Sequence, residues 1–196
     1  FVLNVQPDQS QAFQDHLRQA QVQRYDWYPM IRARLVAVNG QNVSAQNYTD
    51  ERAKRLVDRE FNVSHSVAAP AHNSIVAGAW VPDEPEALSL EEGLAKTLGL
   101  KMGDRLRFDM AGVAIEARVT SIRRVDWTSM RANFFVMYPV SRLTTAAGFD
   151  VPTTYIAAFR APLRATAAET NQPTPNFDNQ LINRFPNITS VDMGAT

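Results

Sequence analysis

The sequence has 196 residues, 45% of them hydrophobic, which is enough to bury about 70% of the unfolded surface without disulfide or metal cross-links. Its 20 basic residues balance its 20 acidic residues, so the charge pattern argues against nucleic acid as a main partner. The absence of cysteine excludes disulfides, thiolate metal sites and cysteine nucleophiles.

The two ends of the chain predict a soluble segment of a longer protein. The sequence starts at Phe1 without an initiator Met or a signal-peptide pattern. The longest apolar run, at residues 133–138, is far shorter than the ~20 residues of a bilayer span.

The first forty residues predict a strand, a helix and a second strand. Residues 1–5 are apolar and β-branched, and Phe13 and Leu17 are spaced as on one face of a helix. Residues 30–38 alternate as a strand and lead into the tight turn Asn39-Gly40. The preceding aromatic residues 25–29 read as a loop.

The middle of the chain predicts a second helix, further strands and a third helix. We expect a short amphipathic helix over residues 50–57, a strand over 61–66, a loop over 67–74 and a buried strand over 75–80. In residues 88–98 the leucines lie four apart, which predicts a helix with Ser89 as its N-cap and Gly99 just after its end.

Alternating apolar and charged residues then predict a β-rich module. Residues 105–110 and 113–122 alternate on either side of the turn Ala111-Gly112, and residues 134–138 add another strand. Together with the strand at residues 75–80 they form one compact unit.

The last third predicts a return to mixed structure. We expect a short helix over residues 139–147, a strand over 153–159, a helix over 176–185 and a strand over 188–191. Residues 160–174 are rich in Ala, Thr and Pro and read as a flexible excursion. The predicted fold class is α+β: a discontinuous α/β part, built from βαβ units at both chain ends, brackets the inserted β-rich module.

Long motifs carry a resemblance to a known family. The segment LAKTLGLKMGDRLRFDMAGVAIEARVTSIRRVDWTSMRANFFVMYP, followed by PTTYIAAF, resembles the periplasmic core domain of the FtsX/MacB-like ABC transporter permeases. The segments FVLNVQPDQ, IVAGAW and FPNITSVD are similar to the YbbP-like branch of that family.

The resemblance implies a division into subdomains. Residues 1–72 and 139–196 would form a discontinuous porter-like subdomain, and residues 73–138 would form an inserted, β-rich, sabre-like subdomain. Hinges are expected near residues 67–74 and 139–152, where the chain crosses between the two.

The resemblance also implies a location and a function. The chain would be the periplasmic domain of a bacterial inner-membrane permease, transmitting motion driven by ATP hydrolysis on a separate cytoplasmic ABC ATPase subunit. It would act on a periplasmic partner, such as an esterase, or on a hydrophobic, lipid-like substrate. No ATP-binding motif G-x-x-x-x-G-K-[ST] occurs in the chain, and no catalytic, cofactor or metal site is expected.

Two other classes of function are open at this stage. A freestanding periplasmic binding module would carry a signal peptide and no membrane spans. A periplasmic hydrolase could assemble His65, Ser66 and Asp58 in space, although no G-x-S-x-G motif accompanies them. A zinc site at His65 and His72 lacks the third and fourth ligands that zinc needs.

Aromatic and sulfur side chains are the candidates for contact with a substrate or partner. The residues at 25–29 form an aromatic, loop-like segment that could contact a partner or, alternatively, cap the first βαβ unit. Those at 80–134 could line a groove for an acyl chain. The alternative for the second group is ordinary packing of aromatic side chains in strands. The candidates are Trp27, Tyr28, Trp80, Trp127, Met130 and Phe134.

Overall fold

The computed structural model describes residues 1–22, 24–144, 148, 150–159 and 184–190. The described chain mixes α and β structure, with many strands and few helices, which confirms the predicted mixture. Among these residues, no helix is both long enough and apolar enough to cross a membrane. In chain order the elements are β1 (Val2–Val5), α1 (Ser10–Gln19), β2 (Tyr25–Val38), β3 (Gln41–Asn42), α2 (Glu51–Val57), β4 (Phe61–His65), β5 (Ser74–Gly78), β6 (Ala87–Glu91), α3 (Glu92–Leu98), β7 (Arg105–Met110), β8 (Val113–Arg124), β9 (Val136–Tyr138), β10 (Thr154–Phe159) and β11 (Thr189–Ser190).

The described residues divide into two compact units. Unit 1 consists of Phe1–Pro29, Met130–Ala132 and the described residues from Thr153 onward, and unit 2 consists of Met30–Ser129 and Asn133–Pro152. The subdomain boundaries predicted at residues 72 and 138 stay a prediction.

Unit 1 is a small sheet with one helix. Its strands follow the order β11-β1-β10-β2, and β1 is antiparallel to both β10 and β11. Helix α1 buries Phe13 and Leu17, which lie four residues apart on one face. The buried cluster of this unit comprises Val2, Val5, Phe13, Leu17, Val22, Ala157, Phe185 and Ile188.

In unit 2 the strand pairings close into a ring. Strand β2 pairs with β4 and β7, β7 with β8, β8 with β6, β6 with β9, and β9 with β4. The inward side chains of this ring, with residues from α2 and α3, form the larger core, which includes Leu35, Leu90, Leu106 and Phe108. A closed ring hides most strand edges, and β5 is left at the end of the strand order, paired with β8.

Several predicted elements are confirmed. Helix α1 and the alternating hairpin β7-β8 lie where the patterns placed them, and the hairpin register runs from Arg105 opposite Arg118 to Met110 opposite Val113. Gly99 has a φ of 68°, the left-handed conformation that ends α3.

The helix predicted over residues 88–98 is wrong in its first half. Residues 87–91 form β6, and α3 begins only at Glu92. All five residues of β6 are buried, so this strand lacks the alternation that would have distinguished it from a helix. Glu91, and not Ser89, caps α3: its carboxylate accepts from the amides of Gly93 and Leu94, both at 2.8 Å.

Three other sequence-based expectations are corrected. The strand near residues 75–80 is exposed rather than buried, with Ile75 and Val76 37% and 40% exposed, because it lies at the end of the sheet. Residues 25–29 belong to β2 rather than to a loop. Residues 139–144 are not helical, and the rest of that predicted helix is largely outside the described residues, as is nearly all of the helix predicted over 176–185.

Candidate functional site

Unit 2 carries an open cleft of about 360 Å³, which we call the aromatic cleft. It combines aromatic rings with two arginines and one carboxylate. Its lining residues are Arg32, Arg59, Glu60, Phe61, Asn62, Trp127, Asn133, Phe134 and Phe135.

Strand pairing brings these distant parts of the sequence together. In the antiparallel pair β2-β4, Arg32 lies opposite Asn62. In the parallel pair β4-β9, Ser64 lies opposite Met137, so the residues just before β9 run beside the start of β4. The cleft is therefore built on backbone that the closed ring of unit 2 holds in register.

Three rings form a row along the cleft. Phe61 and Phe135 meet edge to face, with their centroids 5.9 Å apart, and Phe135 and Trp127 are tilted at 4.9 Å. Phe61 is buried, whereas Trp127 is 48% exposed. The row thus leads from the core to an aromatic surface that faces solvent.

The two arginines leave their charge available to a ligand. The guanidinium of Arg59 lies 5.8 Å from the centroid of the Phe61 ring. Within the described part of the chain, neither Arg32 nor Arg59 uses its guanidinium in a hydrogen bond or an ion pair. Glu60 is the single carboxylate in the lining, so the cleft carries a net positive charge.

Arg123 holds the wall of the cleft from inside the core. It is 0% exposed and donates from Nε to Ser89 Oγ, from Nη1 to Asn73 Oδ1 and from Nη2 to the carbonyl oxygen of Phe134, each at 2.8 Å. A further bond of 3.3 Å reaches the carbonyl of Phe135. The arginine therefore ties the segment before β9 to β6.

A second cavity, of about 510 Å³, lies on unit 1 beside an ion pair between the buried Asp26 and the half-exposed Arg131. The Asp26 carboxylate accepts from Nη2 of Arg131 at 2.7 Å and from the Ala132 amide at 2.9 Å. This cavity is lined by Arg24, Tyr25, Asp26, Met130, Arg131, Ala158 and Phe159.

The structure brings two of the six predicted contact residues together. Trp127 and Phe134 both line the aromatic cleft, although Phe134 is only 4% exposed. Met130, which is half-exposed, lines the cavity on unit 1.

The other three predicted contact residues line neither cavity. Trp27 stacks on Tyr155 at 5.0 Å and on Phe13 at 5.9 Å, and the neighbouring Tyr28 is half-buried in β2. Trp80 is half-buried and donates its indole N–H to the carbonyl of Val67 at 2.8 Å. A contact role for all six residues stays a prediction.

Sequence reasoning missed the three arginines. Arg123 has a detectable signal: it follows Ala117, Val119 and Ser121 at every second position, on the inward face of β8. Arg32 and Arg59 carry no local signal, because only the strand pairings bring them beside Trp127.

The geometry gives little support to a hydrolase site or a zinc site at the histidines. The Nδ1–H of His65 donates to the carbonyl of Val140 at 3.1 Å, and no hydrogen bond within the described residues joins His65 to Ser66 or Asp58. Burial lowers the pKa of the His65 imidazole, against the smaller opposing effects of the Val140 bond and the Asp150 charge. The described ranges contain no group of three or more side chains that could hold a metal ion.

Comparison with known proteins relates the chain to permeases. No protein-family model matches the chain. A domain of a protein named as a permease, from Porphyromonas gingivalis, matches 79% of this chain and 63% of its own at 14% identity. The TM-score of 0.43 is too low to establish a common fold.

The uncharacterized ABC transporter permease YbbP of Escherichia coli K12 is 32% identical to this chain over 195 residues. That match covers 100% of this chain and 22% of the permease, so the chain spans about a fifth of that relative. The resemblance carried by the sequence motifs is thereby confirmed: over its whole length, the chain is homologous to a segment of a YbbP-like ABC transporter permease.

Proposed function

We propose that this chain is the periplasmic domain of a bacterial inner-membrane ABC permease and that it transmits ATP-driven motion to the periplasm. The observation that carries the proposal is the 32% identity to an ABC transporter permease along the whole chain. ATP hydrolysis would take place on a separate cytoplasmic subunit, and this chain would take part without catalysing a reaction.

The organisation of the chain supports a mechanical role. Each of the two compact units has its own buried hydrophobic cluster, which is the arrangement expected of parts that move as separate bodies. In this proposal unit 1, which lies almost wholly in the predicted porter-like subdomain (1–72 and 139–196), moves with the membrane helices. Unit 2, which contains nearly all of the predicted sabre-like subdomain (73–138), opens or closes on its target. The target would be a periplasmic protein, such as an esterase, or a lipid-like molecule drawn from the membrane.

Spin-label distances test whether ATP moves the two units. The chain has no cysteine, so Gln11→Cys in unit 1 and Arg52→Cys in unit 2 would be its sole labelling sites. In the full permease, with its ATPase and with any other cysteines replaced, we expect the distance between the labels to change when ATP replaces ADP. A matched pair within unit 2, Arg52→Cys with Lys101→Cys, should keep its distance.

Two outcomes would overturn the proposal. An unchanged distribution between Gln11→Cys and Arg52→Cys, in a permease that hydrolyses ATP, would remove the mechanical role. Failure of a membrane-impermeant maleimide to label Arg52→Cys in intact spheroplasts, with labelling after lysis, would remove the periplasmic location.

A further inference from the structure

We infer that the aromatic cleft binds a single-chain anionic amphiphile, a molecule that joins one anionic head group to an apolar chain. The inference rests on the proposed function, because it names the chemical class of the substrate on which the permease domain acts. Its physical basis lies within unit 2 alone.

The charge of the cleft selects the head group. Arg32 and Arg59 present guanidinium groups that are engaged in no hydrogen bond or ion pair within the described residues, against the single carboxylate of Glu60. A guanidinium offers several N–H donors in a planar fork that fits carboxylate and phosphate oxygens. An anionic group between the two arginines would therefore be favoured over a neutral or cationic one.

The ring row selects the apolar chain. Trp127 is 48% exposed at the open end and packs on the half-buried Phe135, which the buried Phe61 supports from the core. Covering exposed aromatic surface releases its hydration water, which stabilises a bound hydrocarbon chain. The volume of about 360 Å³ is at the lower end of the range for small-molecule pockets, so one chain fits better than two.

The walls of the cleft are fixed before a ligand arrives. Strand pairing sets Arg32 beside Asn62, and Arg123 holds the carbonyls of Phe134 and Phe135 from the core. A preformed site loses little conformational entropy on binding. The cavity on unit 1 is the weaker candidate because its Arg131 is already paired with Asp26.

Titration of the 196-residue chain with dodecanoate, below its critical micelle concentration and followed by calorimetry, tests the inference. We expect saturable binding of one dodecanoate per chain, weakened at least tenfold in Arg32→Gln/Arg59→Gln. The matched control Arg52→Gln/Arg55→Gln removes two exposed charges outside the cleft and should change the affinity less than twofold. Dodecanol, which has the same chain without the charge, should bind at least tenfold more weakly than dodecanoate.

Several results would overturn the inference. Equal losses in the two double variants would mean non-specific attraction to positive charge, and equal affinity for dodecanol would mean that the arginines play no part. Absence of saturable amphiphile binding would leave the cleft to another ligand class, such as a segment of a partner protein.

A second readout locates the ligand without relying on the arginine variants. Trp127 is the most exposed of the three tryptophans, so dodecanoate should change the intrinsic fluorescence of the chain. In Trp127→Phe the fluorescence change should disappear while calorimetric binding persists, and an unchanged signal in that variant would place the ligand elsewhere.

These titrations use the chain without its ATPase, so they are independent of the spin-label experiment. ATP-driven motion without dodecanoate binding would refute the inference alone. Dodecanoate binding without ATP-driven motion would refute the proposed function alone.

Discussion

At the scale of single residues, Arg123 is the most consequential side chain of unit 2. A fully buried guanidinium has lost its hydration, and its hydrogen bonds to Ser89, Asn73 and the carbonyl of Phe134 replace it. Those same bonds position one wall of the aromatic cleft. Stability and site geometry therefore depend on one residue.

We predict that Arg123→Met and Arg123→Lys both destabilise the chain, Arg123→Met by about 3 kcal/mol or more. Methionine leaves several buried acceptors without a donor. Lysine keeps the charge but lacks the planar fork that reaches acceptors on three segments. Urea unfolding measures the loss, and the control Arg124→Met, at an exposed residue paired with Glu92, should stay close to the parent in stability. Parent-like stability of Arg123→Met would contradict this account.

His65 makes stability depend on pH in a defined direction. Its pKa is lowered below the ordinary value of 6.5, mainly by burial, so the unfolded chain binds the proton more tightly than the folded one. We predict that the unfolding free energy is highest above about pH 6.5 and falls as the pH drops from there towards the folded-state pKa.

The variant His65→Gln isolates this contribution, since the amide can still donate to Val140 but does not titrate in this range. The difference in unfolding free energy between His65→Gln and the parent should therefore vary between pH 7 and pH 5, in favour of the variant at the lower pH. Parallel stability curves across that range would show that His65 is not the group responsible.

At the scale of elements, two glycines with the same backbone conformation have different surroundings. Gly78 ends β5 at a φ of 69°, and Gly99 ends α3 at 68°. A Cβ atom on Gly78 would lie 2.1 Å from the carbonyl oxygen of Thr120, whereas a Cβ on Gly99 would meet nothing within 4 Å. Alanine at either position would have a strained left-handed backbone, but only alanine at position 78 would also clash with a neighbouring strand.

We predict that Gly99→Ala costs about 1 kcal/mol, the penalty of a left-handed alanine. Gly78→Ala should cost clearly more, because the carbonyl of Thr120 belongs to β8 and cannot move without disturbing that strand. Chemical unfolding of both variants gives the comparison. Equal losses would mean that β5 shifts freely and that its attachment to β8 contributes little.

The sequence predicted an element correctly where the element's own residues show a clear hydrophobic period. The hairpin β7-β8 and helix α1 were predictable because each buries one face and so shows a clear period of 2 or 3.6 residues. Strand β6 was not predictable from its pattern, because it is buried on both faces and Leu90 continues the four-residue leucine spacing of α3.

The candidate site was predictable only in part, for a related reason. Trp127 and Phe134 belong to one short aromatic segment and could be proposed together. Arg32 and Arg59 reach the same cleft through the pairings β2-β4 and β4-β9, which are contacts between strands far apart in sequence. No local pattern specifies which strands pair.

At the scale of the whole molecule, the division into two units bears on the proposed mechanical role. The buried cluster that contains Leu17 draws only on unit 1, and the cluster that contains Leu35 and Phe108 draws only on unit 2. Side chains that share no packing partners contribute to stability independently.

We therefore predict that Leu17→Val and Leu35→Val, each costing about 1 to 2 kcal/mol, are additive within about 0.5 kcal/mol in the double variant. As a matched control, Leu35→Val with Phe108→Leu should deviate from additivity, because these residues lie directly opposite each other in the pair β2-β7. Denaturant unfolding of the single and double variants provides both values. Coupling of Leu17 to Leu35 as strong as that of Leu35 to Phe108 would mean that one continuous core joins the units, and a domain with one core could not transmit motion by moving one unit against the other.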